Sequence, residues 1–282
     1  MSKLRLMTHN QWKNDGNASA WEAMGMDCSY VTRTAGFIRV YKETLPDIIG
    51  CQETSFLMAD ELIRGCAAEG LRYALLWGRD TPIIYRQDKF ELLDSDFSLY
   101  PDEFPLHEGI YNNSKTKSWC IAVFRVKENG RIFIFVSTHL WWKSSNPSAA
   151  NYQPMSDEAR EYQLGLLIDR VEEFRSIYNC PAIIVGDFNA NYGSLAVRMA
   201  LGRGFVHAHD VAVEFADETN GHHPCGPRGF ATSYGDKVFV QAIDHIILKG
   251  FENGAVRRFE RYSPEYYLSL SDHSPAFIDI EI

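Results

Sequence analysis

Short apolar runs that stop abruptly at polar residues dominate this chain, and they limit what it can fold into. The runs are Lys3–Thr8, Asp47–Cys51, Tyr73–Trp77, Pro82–Tyr85, Phe90–Leu93, Trp119–Val126, Arg131–Thr138, Pro181–Val185, Ala242–Leu248, Ala255–Tyr262 and Pro275–Ile280. Each has the length of a strand, and β-branched and aromatic residues are frequent in them. Glu128-Asn129-Gly130 joins two runs as a hairpin turn with Asn-Gly at its tip. Helical spacing is confined to Ser55–Ala68 and Ser156–Tyr178. In the second, Leu164, Leu167, Ile168, Val171 and Phe174 make one apolar face, Ser156 is placed to cap, and Asp157 and Glu158 suit the positive end of the helix dipole. Many strands with few covering helices indicate an α/β sandwich.

Two longer segments read as loops, Asn14–Thr34 and Trp141–Met155. The second, WWKSSNPSAANYQPM, is rich in aromatics, and loops of this length inside a domain are usually functional. The chain has 282 residues, 45% apolar and 23% charged. No linker or repeat interrupts it, so residues 1–282 are read as one domain with a sizeable core. The cysteines are scattered, several in apolar settings, and none forms a C-x-x-C pair, so free buried thiols are expected. No apolar run is long enough to span a bilayer. The opening MSKLRLMTHNQW lacks an apolar stretch followed by a small-residue cleavage site, and a cytoplasmic location is expected. The net charge of −9 argues against a dedicated binder of duplex DNA, which grips phosphates through many Lys and Arg.

The chemistry is concentrated where the runs end. AIIVGDFNAN places Asp187, Asn189 and Asn191 directly after the most apolar run. The first run ends at His9-Asn10, the second at Gln52-Glu53, and IFIFVSTHLWW at His139. AIDHIIL brings Asp244 and His245 to the start of a strand, and SLSDHSPAF puts Asp272 and His273 before the last one. Alone, each is a turn residue or a hydrogen-bonded core residue. Together they supply acids for a hard cation, histidines for proton or phosphate contacts, and amides that orient oxygens, which is the inventory of metal-assisted phosphoester hydrolysis.

DIIGCQE ending at Glu53, STHL at His139, EAREYQ on the long helix, GDFN at Asp187 to Asn189, IDHI at Asp244 and SDHSP at Asp272 and His273 follow one another in order. With Asn10 they span roughly Leu4 to Ile280. In this the chain resembles the endonuclease/exonuclease/phosphatase superfamily, the Mg²⁺-dependent phosphoesterases that include apurinic endonucleases, DNase I, neutral sphingomyelinases, inositol phosphatases and deadenylases. The resemblance implies a DNase I-like four-layer α/β/β/α sandwich with the site at one edge of two packed sheets. It implies Glu53 as the main ligand of Mg²⁺ (or Mn²⁺), with Asn10 and Asp272 as further partners, since oxygen ligands suit a hard cation. Asp187 would position or deprotonate water, and Asn189 would orient that water or the phosphate. His273, held by Asp244, would contact the phosphate. His139 would be a second phosphate contact or an acid, although apurinic endonucleases carry Tyr there. Arg160 and Gln163 match the family's helix pattern as structural supports.

Trp141, Trp142 and Tyr152, just after His139, are expected to line the substrate pocket and stack on a ring. The loop containing His222, His223 and Cys225 fits no zinc spacing, and its Arg228 is a candidate phosphate contact. Three functions follow: a hydrolase of small or medium phosphoesters, a nuclease, or a non-catalytic binding module. The intact acid, base and metal set disfavours the last, and the acidic balance favours the first over the second.

Overall fold

The computed structural model describes residues 2–13, 22–23, 25, 27–105, 107–215, 222–223, 240–262 and 264–282. In chain order the principal elements are β1 (Lys3–Asn10), α1 (Tyr30–Thr44), β2 (Ile48–Gln52), α2 (Phe56–Ala68), β3 (Tyr73–Leu76), β4 (Ile83–Arg86), β5 (Phe90–Leu99), β6 (Ser118–Val126) and β7 (Ile132–His139). Then come α3 (Ser156–Tyr178), β8 (Ala182–Asp187), α4 (Leu195–Gly202), β9 (Val206–His207), the single-turn α5 (Ala208–Val211) and short β10 (Glu214–Phe215), β11 (His222–His223) and β12 (Val240–Gln241). The chain closes with β13 (Asp244–Lys249), β14 (Val256–Arg261), a 3₁₀ turn (Glu265–Ser269) and β15 (Ala276–Glu281).

Two mixed sheets carry the fold. One is seven-stranded in the order β10-β14-β15-β1-β2-β4-β3, and the other six-stranded in the order β5-β6-β7-β8-β13-β9. Side chains alternate across each strand, so the central strands feed two cores. Leu4, Leu6, Ile183, Val185 and Ile278 meet in the layer between the sheets. Met7, Ile49 and Ile84 face outward beneath Phe37 and Tyr41 of α1 and Met58 and Leu62 of α2. Ile184, Ile134 and Val136 face the other way, beneath Leu164, Leu167 and Val171 of α3 and Val197 of α4. The α/β/β/α order of layers expected from the sequence is the one observed. Cys28, Cys51, Cys66, Cys120 and Cys180 are free and buried, as expected, while Cys225 lies outside the described residues. No described helix is long and apolar enough to cross a membrane.

The structure differs from the sequence expectation at four places. The segment from Tyr30 is helical rather than loop. Arg33 and Thr34 belong to the buried face of α1, so polar residues break the apolar period that would reveal it. Helix α4 has only eight residues, too short for a clear period. Strand β5 continues to Leu99 as a polar edge strand, with a register shift between Leu92 and Asp94. Ser156 does not cap α3. The N-cap position is Met155 in left-handed conformation. Ser156 Oγ instead donates to the Gln153 carbonyl, and Ser145 Oγ accepts the Asp157 N–H at 2.8 Å. The hairpin at Glu128–Gly130 forms as expected, with Gly130 at φ 73° and its N–H bonded to Val126 O at 2.8 Å.

Gly186 is where the fold and the site meet. A Cβ there would lie 2.0 Å from the Thr138 carbonyl oxygen, and β7 and β8 pair Thr138 with Gly186 and His139 with Asp187. Gly186→Ala is therefore expected to force the two strands apart, at a cost of about 3 kcal/mol. It should also displace His139 relative to Asp187. A denaturant melt together with activity per folded molecule checks this, and a variant with unchanged stability would show that β7 yields freely.

Candidate active site

Strand pairing assembles the site. Parallel β7 and β8 set His139 beside Asp187, and antiparallel β8 and β13 set Asp244 on its other side. Residues opposite one another on a ladder share a face, so these three project together from the end of the six-stranded sheet. Parallel β1 and β2 bring Asn10 beside Gln52 at the same end of the other sheet, with Glu53 next in the chain. Asn10 Nδ2 donates to Asp187 Oδ2 at 3.0 Å, joining the two sheets across the site.

Asp187 is the hub. Its Oδ1 accepts the Asn189 N–H at 2.8 Å. Its Oδ2 lies 3.4 Å from His139 Nε2 and 3.8 Å from His273 Nε2. Asn10 Oδ1 accepts the Trp12 N–H at 2.9 Å, which fixes the orientation of its amide. Asn189 Nδ2 donates to the Leu140 carbonyl at 3.0 Å. Glu53 and Asn189 both hold left-handed backbone, at φ 54° and φ 50°, a conformation that costs non-glycine residues energy and clusters at functional sites. Glu53 Oε2 accepts the Lys13 N–H at 3.2 Å, and Oε1 is 3.9 Å from His139 Nε2.

His273 Nδ1 bonds Asp244 Oδ2 at 2.8 Å. Burial alone would lower the pKa of His273, but the charges of Asp244, Asp272 and Asp187 outweigh burial and raise it well above its usual value. For Asp244 burial acts upward, and the His273 charge and hydrogen bond prevail and lower it. The pair is an imidazolium–carboxylate pair, with Nε2 turned toward Asp187. Arg33 secures the loop that carries Asp272 and His273. Its Nε donates to the Leu270 carbonyl at 2.7 Å and its Nη2 to the Gln11 carbonyl, and Ser271 Oγ donates to Asn10 O at 2.9 Å.

Asp272 carries an unpaired oxygen into the site. Its Oδ1 is buried and has no hydrogen-bond partner. Burial first, and then the charges of Glu53 and Asp187, push its pKa up to about 6 against the opposing pull of His273. Three carboxylates that repel one another around an unpaired oxygen fit a hard cation, and the oxygen donors of Asp272, Glu53 and Asn10 could hold it. Glu53, His139 and Asp187 each present a ligand atom within 4.8 Å of the others, as do Asp187, Asp244 and His273.

The model of the Endonuclease/Exonuclease/phosphatase family matches residues 27–273. The chain belongs to that family. Its members are phosphoesterases, hydrolases that use divalent metals. No curated protein matches the chain by sequence. Among solved structures, an endonuclease/exonuclease/phosphatase from Bacteroides vulgatus is 23% identical with a TM-score of 0.73, covering 100% of both chains. The Bacteroides thetaiotaomicron mannosyl-6-phosphatase is 19% identical with a TM-score of 0.73, covering 99% of this chain and 100% of its own. D. rerio TDP2, complexed with single strand DNA product, is 14% identical with a TM-score of 0.65, covering 100% of both. These likenesses are of fold.

The segment after His139 departs from expectation. Trp141 is completely buried, packed with Phe104, Tyr111 and Ala159, so it cannot stack on a substrate. Gln163 Oε1 accepts its N–H at 2.8 Å, and Arg160 Nη1 donates to the carbonyls of Trp141 and Lys143 at 3.0 and 2.6 Å. Arg160 and Gln163 thus brace the strap, as the family pattern of the helix implied. Trp142 and Tyr152 are 44% and 43% exposed and remain available. Arg228 lies outside the described residues. His245 sits between His207 Nε2 at 2.9 Å and the Ala190 carbonyl at 2.7 Å and belongs to the packing.

Sequence reading missed two buried groups. Asp80 Oδ2 lies 3.5 Å from His139 Nδ1, and Lys117 Nζ lies 2.5 Å from His139 Nε2. Both precede strands rather than follow them. Antiparallel pairing of β4 with β2 and of β6 with β7 folds those strand beginnings onto the same edge. The signal that could have found them is a charged residue just before an apolar run.

Proposed function

We propose that this chain hydrolyses phosphoesters of small or medium-sized phosphorylated substrates by attack of water at phosphorus, with Mg²⁺ or Mn²⁺ held at Glu53, Asp272 and Asn10. The observation that carries the reading is the placement of Asp187. It is fixed by hydrogen bonds from Asn10 and Asn189 and faces the Nε2 edge of an imidazolium. When bound, the cation neutralises charge on the phosphoryl oxygens. Asp187 orients the attacking water and accepts its proton. His273 donates Nε2–H to a phosphoryl oxygen, and Asp244 keeps that ring charged and aligned. Asn10 and Asn189 keep the Asp187 carboxylate from rotating.

The acidic composition and the likeness to a mannosyl-6-phosphatase support a small ester. A nuclease is the second reading. It is supported by the exposed rings of Trp142 and Tyr152, in the segment after His139, and of Phe56 and Trp77, packed edge to face at 5.4 Å, because bases stack on such rings. Parallel assays with a model diester and a panel of monoesters, with Asp187→Ala as blank, separate the two. Steep loss of affinity with salt marks a long polyanion and a shallow slope a small ester. Failure on both substrate classes would sink the proposal.

EDTA is expected to abolish turnover and Mg²⁺ or Mn²⁺ to restore it. A second readout follows from Asp272. Its folded pKa lies above the unfolded value, so between 3.8 and about 6 the folded metal-free protein holds a proton that the unfolded chain has lost. Stability from this group therefore falls as pH rises through that window. Added Mg²⁺ should raise the melting temperature more at pH 7.5 than at pH 5, and equal shifts would remove Asp272 from the cation site.

A further inference from the structure

The two histidines flanking Asp187 are not equivalent. His273 keeps Nδ1 on a carboxylate and turns Nε2 inward. His139 has an ammonium group on its inward nitrogen, with Lys117 Nζ at 2.5 Å from Nε2. With Lys117 as an ammonium, which has only donors, His139 Nε2 accepts. The ring proton then sits on Nδ1, which lies 3.5 Å from Asp80 Oδ2 without a formed hydrogen bond. In that state His139 offers a lone pair to Lys117 and has no N–H for a phosphate.

We propose that Lys117 is a further phosphate-binding residue of this site, and that His139 positions it rather than contacting the phosphate itself. The inference rests on the phosphoesterase reading above. Lys117 is buried, and its backbone is fixed on both sides. Its N–H donates to Asn112 Oδ1 at 3.0 Å, and its carbonyl accepts from Asn112 Nδ2 at 2.8 Å and from the Tyr100 N–H at 2.9 Å. Among the described residues its Nζ bonds only the His139 ring, which leaves two of its three N–H bonds for a ligand. Nζ and Asp187 Oδ2 both lie within 3.4 Å of the same ring nitrogen, so the amine borders the place where the water is held. Burial lowers the pKa of Lys117, while Glu53, Asp187 and Asp80 act to raise it. Those acids balance its charge at longer range without occupying its donors. A phosphate seated between Lys117 and His273 would meet a cation on each side of the Asp187 carboxylate.

The test uses the full chain with saturating Mg²⁺ and has two arms. The first is ¹⁵N NMR of the His139 ring. Nδ1 should be protonated and Nε2 bare, and the reverse tautomer or an imidazolium would overturn the proposal. The second titrates inorganic phosphate into wild-type and Lys117→Met protein. Loss of a charged hydrogen bond predicts that Lys117→Met raises the Kd for phosphate about tenfold or more. Wild-type binding that Lys117→Met leaves unchanged would overturn the Lys117 role alone. Absence of phosphate binding by the wild type would overturn the phosphoesterase reading and this one with it. The NMR arm needs only the wild type, so it decides even where Lys117→Met does not fold.

Discussion

Asp187→Asn is expected to lower kcat by about three to four orders of magnitude while the protein stays folded. The substitution keeps the side-chain volume and removes the charge and the capacity to accept a proton. Asp187 Oδ1 and Oδ2 accept from Asn189 N and Asn10 Nδ2. An amide can satisfy one of these and must set its NH₂ against the other. The lost bond costs about 1 kcal/mol, a small shift in melting temperature beside the kinetic loss. Removing the Asp187 charge also relieves Asp272, whose pKa is pushed up to about 6 partly by that charge. In the metal-free variant Asp272 should titrate at lower pH, as ¹³C NMR of the carboxyl would show. A kcat within tenfold of wild type would mean that another group takes the proton.

Much of this site could be read from the chain because both strand ends and catalytic residues have a local signature. A β-branched run followed by Gly-Asp-x-Asn states where a strand stops and what stands at its end, and Asn10, Glu53, His139 and Asp187 stand at or just past strand ends on one edge, while Asp244 enters from a strand beginning through its acid-His sequence context. What escaped depends on contacts distant in sequence. Lys117 and Asp80 sit at strand beginnings, and only antiparallel pairing carries them to the site. Helix α1 hides because Arg33 is buried beneath the ring of Trp12, 4.8 Å away, and spans two loops. A polar residue in that role carries no apolar period. Gly36 of α1 shows the same limit. A Cβ there would come within 2.4 Å of Leu270, so the glycine marks a close tertiary approach and not a helix end. Trp141 and Trp142 are adjacent in sequence, yet one is core and the other exposed. Packing against Phe104, Tyr111 and Ala159 and bracing by Gln163 and Arg160 distinguish them.

The same distance dependence governs the protonation of His273, and it yields the second large effect. His273→Ala should lower kcat by about 10² to 10³, because a charged donor disappears from the edge facing Asp187. Asp244→Asn should act differently, since it leaves the ring in place. In the wild type, burial works against the imidazolium and is outweighed by Asp244 first, then by Asp272 and Asp187. With the Asp244 charge gone, burial gains and the pKa of His273 falls. A reaction that needs protonated His273 loses activity as pH rises through that pKa, so the alkaline limb of kcat/KM should move to lower pH in Asp244→Asn. Above its shifted limb the variant should approach His273→Ala, and below that limb it should recover much of the wild-type rate. His273→Ala has no ring to recharge and should show no such recovery. Profiles of kcat/KM from pH 5.5 to 9 for the three proteins, at saturating Mg²⁺, decide the matter. An Asp244→Asn profile with the wild-type alkaline limb would mean that Asp244 orients the ring without setting its charge, and the donor role of His273 would then have to rest on its position alone.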